Sequence, residues 1–178
     1  MSTCHLIGNG SSKSLYEYKN GDNTFMCNMP DPHINTLGVF VRDRAVANLY
    51  IDGTFSAGKI FCDESVASYL KMGGYRGHVS PYLSQGANIG IQAIQYLAVH
   101  YNTVELWGFD SLYSGSLQSE MSKYLPFSPE DEHDIESWAS GWHRDVLKQF
   151  PDNVFILNKP SLQGFEKIYL KEMLNLQH

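Results

Sequence analysis

Short apolar runs, each closed by Gly, Asn or Asp, alternate along this chain with stretches whose apolar residues recur every three or four positions. That alternation is the tightest constraint the sequence offers. Strands separated by helices pair in parallel, because a right-handed crossover through the helix returns the chain to the same sheet in the same direction. The pattern predicts strands at Thr3–Ile7, Thr24–Cys27, Val39–Val41, Val46–Ile51, Lys59–Asp63, Val104–Phe109 and Val154–Leu157. Helices are expected over Glu64–Lys71, closed by Gly73-Gly74, and over Ser84–His100, where Ala87, Ile91, Ile94, Leu97 and Ala98 share one face. A further helix carries Ile135, Trp138, Ala139, Trp142, Val146, Leu147 and Phe150, and a last one spans Ser161–Leu176. Residues 1–178 are thus expected to form a single α/β domain, a mostly parallel sheet with flanking helices.

Charge and cysteine usage narrow the function classes. The 13 basic and 19 acidic side chains leave about −6 at pH 7, the wrong sign for a duplex-DNA binder, which must neutralise phosphates with clustered Lys and Arg. Nucleic acid is therefore not expected as a partner, although backbone amides can still hold a single nucleotide. The three cysteines, Cys4, Cys27 and Cys62, have no metal-site or disulfide spacing, and Cys4 and Cys27 fall inside apolar runs. A reducing, cytoplasmic setting is expected, in a bacterium or a phage-infected host. No apolar stretch is long enough for a membrane span, and no secretory leader pattern opens the chain. Eleven tyrosines are more phenols than a core requires, so some are expected to line a pocket or an interface; a homo-oligomer would use the latter.

In parallel sheets, ligands bind beyond the carboxyl ends of the strands, where the strand order reverses. The residues to weigh are therefore Gly8–Ser12, Asn28, Asp52-Gly53, Asp110–Tyr113 and Asn158. Gly8-Asn9-Gly10-Ser11-Ser12-Lys13-Ser14-Leu15 is the richest of these segments. Its glycines permit close backbone approach, and Asn9, Ser11 and Ser12 add polar side chains. A short helix starting at Ser12 or Ser14 would turn its positive end towards an anion. The spacing is neither GxGxxG nor a Walker loop, and a tight strand-to-helix turn explains it equally well. Asn28 either bonds a nucleotide or sugar hydroxyl or caps the turn before Pro30. Ser84-Gln85-Gly86-Ala87-Asn88 opens a helix, with Ser84 suited to an N-cap. Asp110 suits a hydroxyl contact or an Asx turn. His133 lies in an acidic stretch, Glu130–Glu136, where it is either a general base or part of a helix start favoured by acids. Trp138 and Trp142, one turn apart, read as core.

Taken in order, Gly8-Asn9-Gly10-Ser11-Ser12…Leu15, Cys27-Asn28, Ser84-x-Gly86 and Gly108-Phe109-Asp110 resemble the bacterial sialyltransferases of glycosyltransferase family 42 and the related Maf-type flagellin glycosyltransferases. Ser11 stands where that pattern has proline, and Lys13-Ser14 are extra residues before Leu15. The resemblance implies a Rossmann-like domain that binds a CMP-sugar as donor substrate, with no metal and no other cofactor. It implies that Asn9 and Gly10 meet the nucleotide phosphates and Asn28 the cytidine nucleotide or donor sugar. Gly8, Ser11, Ser12, Ser84, Gly86, Asn88 and Gly108 would complete the nucleotide site. Tyr113 and Tyr124 would stand near the leaving phosphate, and His133 would take the acceptor proton. Apart from the resemblance, His143, on the flank of an apolar helix face, is a second candidate base, and Asp110 is a candidate for a hydroxyl contact in the cleft. The function expected is transfer of the sugar to a hydroxyl acceptor. A hydrolase of nucleotides or nucleotide-sugars, with Asp110 activating water, and a non-catalytic nucleotide-binding module are the alternatives.

Overall fold

The computed structural model describes residues 2–82, 89–109, 120–125, 153–157 and 167–169. Among them, eight strands form one sheet: β1 (Thr3–Ile7), β2 (Asn23–Cys27), β3 (Gly38–Phe40), β4 (Lys59–Cys62), β5 (His78–Pro81), β6 (Thr103–Trp107), β7 (Val154–Leu157) and β8 (Lys167–Tyr169). Their spatial order is β5-β4-β3-β2-β1-β6-β7-β8. Every pairing from β5 to β7 is parallel, and only β7 with β8 is antiparallel. The order grows outward from β1 to β5, then returns to the other side of β1 with β6. That reversal is the hallmark of a Rossmann-like α/β fold.

Both faces of the sheet are covered, which is why its strands are nearly continuous apolar runs. Successive side chains point to opposite faces. Cys4, Leu6, Phe25, Cys27, Phe40, Phe61, Val104 and Leu106 pack with Ile91, Ile94 and Leu97 of helix α3 (Ile89–His100). Ile7, Met26, Val39, Val41, Ile60, Cys62 and Trp107 pack on the opposite face. They meet Val46, Ala47 and Tyr50 of α1 (Arg44–Ile51) and Val66 and Leu70 of α2 (Glu64–Met72). The first core is strongly aromatic: Phe40 stacks on Phe61 at 4.9 Å, and Phe25 meets Phe61 edge-on at 5.9 Å. Helix α2 begins where Asp63 Oδ1 accepts from the Val66 amide at 2.8 Å.

Four expectations are corrected. Residues 46–51 are helical, not a strand: Val46, Ala47 and Tyr50 are the buried face of α1. Asp52-Gly53 consequently closes a helix and does not stand at the carboxyl edge of the sheet. Within the segment expected as a helix over Ser161–Leu176, Lys167–Tyr169 is strand β8, which pairs Leu157 with Lys167 and Phe155 with Tyr169; the rest of that segment lies outside the described residues. The segment after β1 forms a five-residue 3-10 turn, Ser11–Leu15, too short to carry an appreciable helix dipole. Strand β5 was not anticipated at all. The helix expected around residues 135–150 lies outside the described residues, and α3 is described from Ile89 onward.

Candidate functional site

The reversal of strand order puts the ends of β1 and β6 side by side, with β2 flanking β1. Beyond β1 the backbone is laced to the segment beyond β6: the Gly8 amide donates to the Trp107 carbonyl at 2.7 Å, and the Gly10 amide donates to the Gly108 carbonyl at 2.9 Å. The approach is so close that a Cβ on Gly8 would sit 2.6 Å from the Gly108 oxygen. A Cβ on Gly108 would lie 2.7 Å from the Gly8 oxygen and 2.9 Å from Lys13 Cβ, and Gly108 has φ +72°. These two glycines are therefore explained by each other. Close backbone approach was expected of Gly8 towards a ligand or within a tight turn; here it is towards the opposing loop.

Asn9 reaches sideways from this seam. Its Nδ2 donates to the Cys27 carbonyl at 2.8 Å, tying the end of β1 to the end of β2. The same carbonyl accepts from the Met29 amide at 2.7 Å, closing a three-residue turn around Asn28. Asn28 has φ +63°, the only positive φ of a non-glycine among the described residues. Such a conformation persists only where its surroundings impose it. Here they do: the Asn28 amide donates to the Phe40 carbonyl at 2.8 Å, and the Tyr50 hydroxyl donates to the Asn28 carbonyl at 2.7 Å. Three strands and a helix thus hold one turn.

Each asparagine carries a buried acceptor without a partner. Asn9 Oδ1 and Asn28 Oδ1 are buried with no hydrogen-bond partner, and no other described side chain has such an atom. Buried acceptors are normally satisfied, and each orphan costs about 1–3 kcal/mol. Two of them on neighbouring strand ends, at the crevice where α/β sheets bind ligands, mark the site.

Around the pair the edge is polar but lightly charged. Ser12 is buried in the 3-10 turn. Arg42, just past β3, is half-buried and lies close enough to Tyr82 for its charge to act on that phenol. Burial pushes the Tyr82 hydroxyl's pKa up, Cys27, Cys62 and Asp63 add to this, and Arg42 opposes it. Tyr82 donates to Gln92 Oε1 at 3.2 Å, a buried glutamine on the second turn of α3. The Tyr50 phenol is likewise raised, first by burial and then by Tyr75.

Below this edge, on the face of α1 and α2, lies a polar group whose members the sequence alone does not bring together. Its rows are set by the register His5–Thr24 and His5–Glu105. The Tyr16 hydroxyl bonds Asp22 Oδ2 at 2.9 Å and Thr24 Oγ1 at 2.7 Å. The Trp107 indole N–H donates to His5 Nδ1 at 3.2 Å, and Glu105 Oε2 is 3.4 Å from that same nitrogen. Nδ1 serves one of them at a time, bare towards the indole and protonated towards the carboxylate. The signal was present in the sequence as a histidine and a glutamate inside apolar strands. Their adjacency needed the strand order.

Of the residues expected at the site, the fold gathers Gly8, Asn9, Gly10, Ser12, Asn28 and Gly108; Ser11 opens the same turn. Tyr124 is not joined to them directly. It is 43% exposed and meets Phe55 edge-on at 4.8 Å, and Phe55 in turn packs on Tyr50 at 5.5 Å. Ser84, Gly86, Asn88, Asp110, Tyr113, His133, His143 and Asn158 lie outside the described residues. The three cysteines are free and buried, and burial lifts each thiol's pKa to about 12. Among the described residues, no group of three or more His, Cys, Asp or Glu side chains could hold a metal ion, and no helix is long and apolar enough to cross a membrane.

Comparison with known proteins adds little beyond this geometry. No family model matches the chain, and no curated protein matches it. A solved structure of a protein from Lactobacillus plantarum is similar at 13% sequence identity and a TM-score of 0.34, over 89% of this chain. The chain spans 61% of that protein's length. At that level the likeness bears on neither activity nor ligand.

Proposed function

We propose that this chain is a glycosyltransferase-like enzyme that binds a nucleotide-sugar, CMP-linked, in the crevice beyond β1, β2 and β6, and transfers the sugar to a hydroxyl acceptor. The observation that carries the reading is the pair of orphaned acceptors, Asn9 Oδ1 and Asn28 Oδ1, at the point where the strand order reverses. It is supported by the gathering of Gly8, Asn9, Gly10, Asn28 and Gly108, distant in sequence, at one seam. They are part of the motif set on which the resemblance to family 42 rests, whose Ser84, Gly86 and Asp110 lie outside the described residues.

In the reaction so proposed, the acceptor oxygen attacks the anomeric carbon as the bond to the phosphate oxygen breaks. CMP leaves with the electron pair. The acceptor proton passes to His133, and Tyr113 with nearby amides stabilises the charge on the departing phosphate. The test is a thermal-shift panel of CMP, UMP, GMP, AMP and their sugar conjugates. Cytidine nucleotides are expected to stabilise the fold by about 2.7 kcal/mol at a hundredfold excess over Kd. Absence of any nucleotide response refutes the reading. Replacing His133 with Ala is expected to abolish transfer while leaving CMP binding intact, and unchanged turnover would remove His133 from the mechanism. Product analysis without acceptor separates a transferase from a hydrolase.

A further inference from the structure

The polar group on the α1 and α2 face is joined to the seam through Trp107, which meets the glycine segment at both of its ends. The Trp107 carbonyl accepts from the Gly8 amide at 2.7 Å. Its ring lies 5.2 Å from that of Tyr16, the residue that closes the 3-10 turn after Gly10. The indole is buried, and a buried donor requires an acceptor. Its N–H donates to His5 Nδ1 at 3.2 Å.

That acceptor is conditional. Glu105, two residues before Trp107 on β6, sets Oε2 3.4 Å from the same nitrogen. Both ring nitrogens of an imidazolium carry a proton. Uptake of a proton at Nδ1 therefore breaks the bond from the indole and makes one to the Glu105 carboxylate. Solvent can deliver the proton, because the His5 side chain is 17% exposed. A neighbouring carboxylate favours the charged imidazole. Two further titratable groups come from the elements beside β1. Tyr16 faces His5 with ring centroids 5.0 Å apart, and Asp22, just before β2, feels the charge of His5. Burial pushes the Tyr16 phenol's pKa up, so it keeps its proton. Burial works against the Asp22 carboxylate, but the Lys19 amide and the Tyr16 hydroxyl bonded to it hold its pKa below the ordinary value. Histidine is the side chain whose charge ordinarily changes between pH 5 and 8.

We infer that His5 is a proton-dependent positioning residue of the seam: with Nδ1 bare it fixes the Trp107 indole and, through it, both ends of residues 8–16, and with Nδ1 protonated it engages Glu105 and releases them. The inference goes beyond the nucleotide reading and does not rest on it, since every contact it uses is made within the chain. The crevice wall is set above the titration of His5 and loosened below it.

The experiment is an NMR titration of the full chain, without nucleotide, between about pH 8 and pH 5. It follows the Trp107 indole N–H, assigned through its own backbone, and the Gly8 amide. The indole signal is expected to move from a hydrogen-bonded to an unbonded position with one midpoint, and the Gly8 amide to follow with the same midpoint. His5→Asn sets a carboxamide oxygen near the place of Nδ1 and cannot take up the proton, so both signals should hold their bonded positions throughout. Glu105→Gln removes the charge that favours the imidazolium, so the midpoint should fall. A flat indole signal in the wild type, a titration that persists in His5→Asn, or an unchanged midpoint in Glu105→Gln each overturns the inference. So does a Gly8 amide that ignores the indole's midpoint, because the seam would then be uncoupled from His5. If His5→Asn fails to fold, the wild-type curve and Glu105→Gln decide alone. A thermal-shift response to nucleotides stands or falls separately from all of these outcomes.

Discussion

Replacing Gly108 with Ala tests the seam at the heart of the site more directly than any binding assay. Two costs are separable there. An L-residue at φ +72° pays for the left-handed backbone, about 1 kcal/mol. The new Cβ also lies 2.7 Å from the Gly8 carbonyl oxygen, and because backbone cannot rotate aside, overpacking adds about 2 kcal/mol. Gly108→Ala is therefore expected to cost about 3 kcal/mol. Gly74→Ala isolates the first component, since Gly74 has φ +84° with nothing within 4 Å of a Cβ; about 1 kcal/mol is expected. Gly8→Ala isolates the second, since Gly8 meets the Gly108 oxygen at 2.6 Å without a positive φ; about 2 kcal/mol is expected. For a chain of this size each kcal/mol lowers Tm by roughly 2–4 °C, so the Gly108 variant should melt about 6–12 °C below wild type. The Gly8/Gly108 double variant should cost less than the sum of its singles, because the first Cβ already parts the loops. Urea unfolding at constant m supplies the free energies. If Gly108→Ala is no worse than Gly74→Ala, the two loops are not in contact and the site is misdrawn.

Other consequences can be checked as simply. The three thiols, each raised to about 12 by burial, are protonated in the fold at a pH where the unfolded chain has lost their protons. A folded pKa above the unfolded value of an acid leaves stability intact below about pH 9 and erodes it above. The loss is ~1.4 kcal/mol per thiol by pH 10, read as a falling urea midpoint between pH 8 and pH 10; a flat profile contradicts their burial. A thiol reagent at pH 8 should label none of the three in the native protein and all of them in denaturant. Tyr50→Phe removes the 2.7 Å bond to the Asn28 carbonyl and should cost about 1 kcal/mol by urea unfolding. It should also weaken CMP binding, because the turn that carries Asn28 loses its brace. Asn28→Val should cost more than about 2 kcal/mol, since a β-branched residue resists a positive φ, whereas Asn28→Gly should change stability little.

The strands that read most clearly are those with nothing to confuse their period. Thr3–Ile7 and Val154–Leu157 are bounded as expected. Helix α1 was missed because eight residues barely cover two turns, and Val46, Tyr50 and Ile51 carry strand propensity. The neglected clue was Asp43 immediately before them, a residue type that favours helix starts. Strand β5 escaped because an edge strand containing Pro81 and His78 has no apolar run to display. Strand β8 is three residues long and sits at the opposite end of the sheet, where burial leaves the weakest pattern. At the site, the residues were legible but not their roles. Gly8 and Gly108 announce close approach without saying to what. Asn9 announces polarity without saying which end of its amide is spent, and only the adjacency of β1 and β2 answers that.

The seam also has a place in time. β1 sets Cys4 beside Asn23 on one side and Thr3 beside Thr103 on the other, so its two neighbours leave the ribosome at very different moments. Strand β2 can dock almost at once, and the bond from Asn9 to the Cys27 carbonyl can form with it. The Gly8 and Gly10 amides must wait for Trp107 and Gly108. Until then one wall of the crevice is water, and the asparagines have no cleft to face. The crevice proposed to hold the nucleotide-sugar is therefore completed in one late event, when the returning half of the chain closes on the first strand. A ligand present at that moment favours the closed sheet over every partly folded form that lacks it.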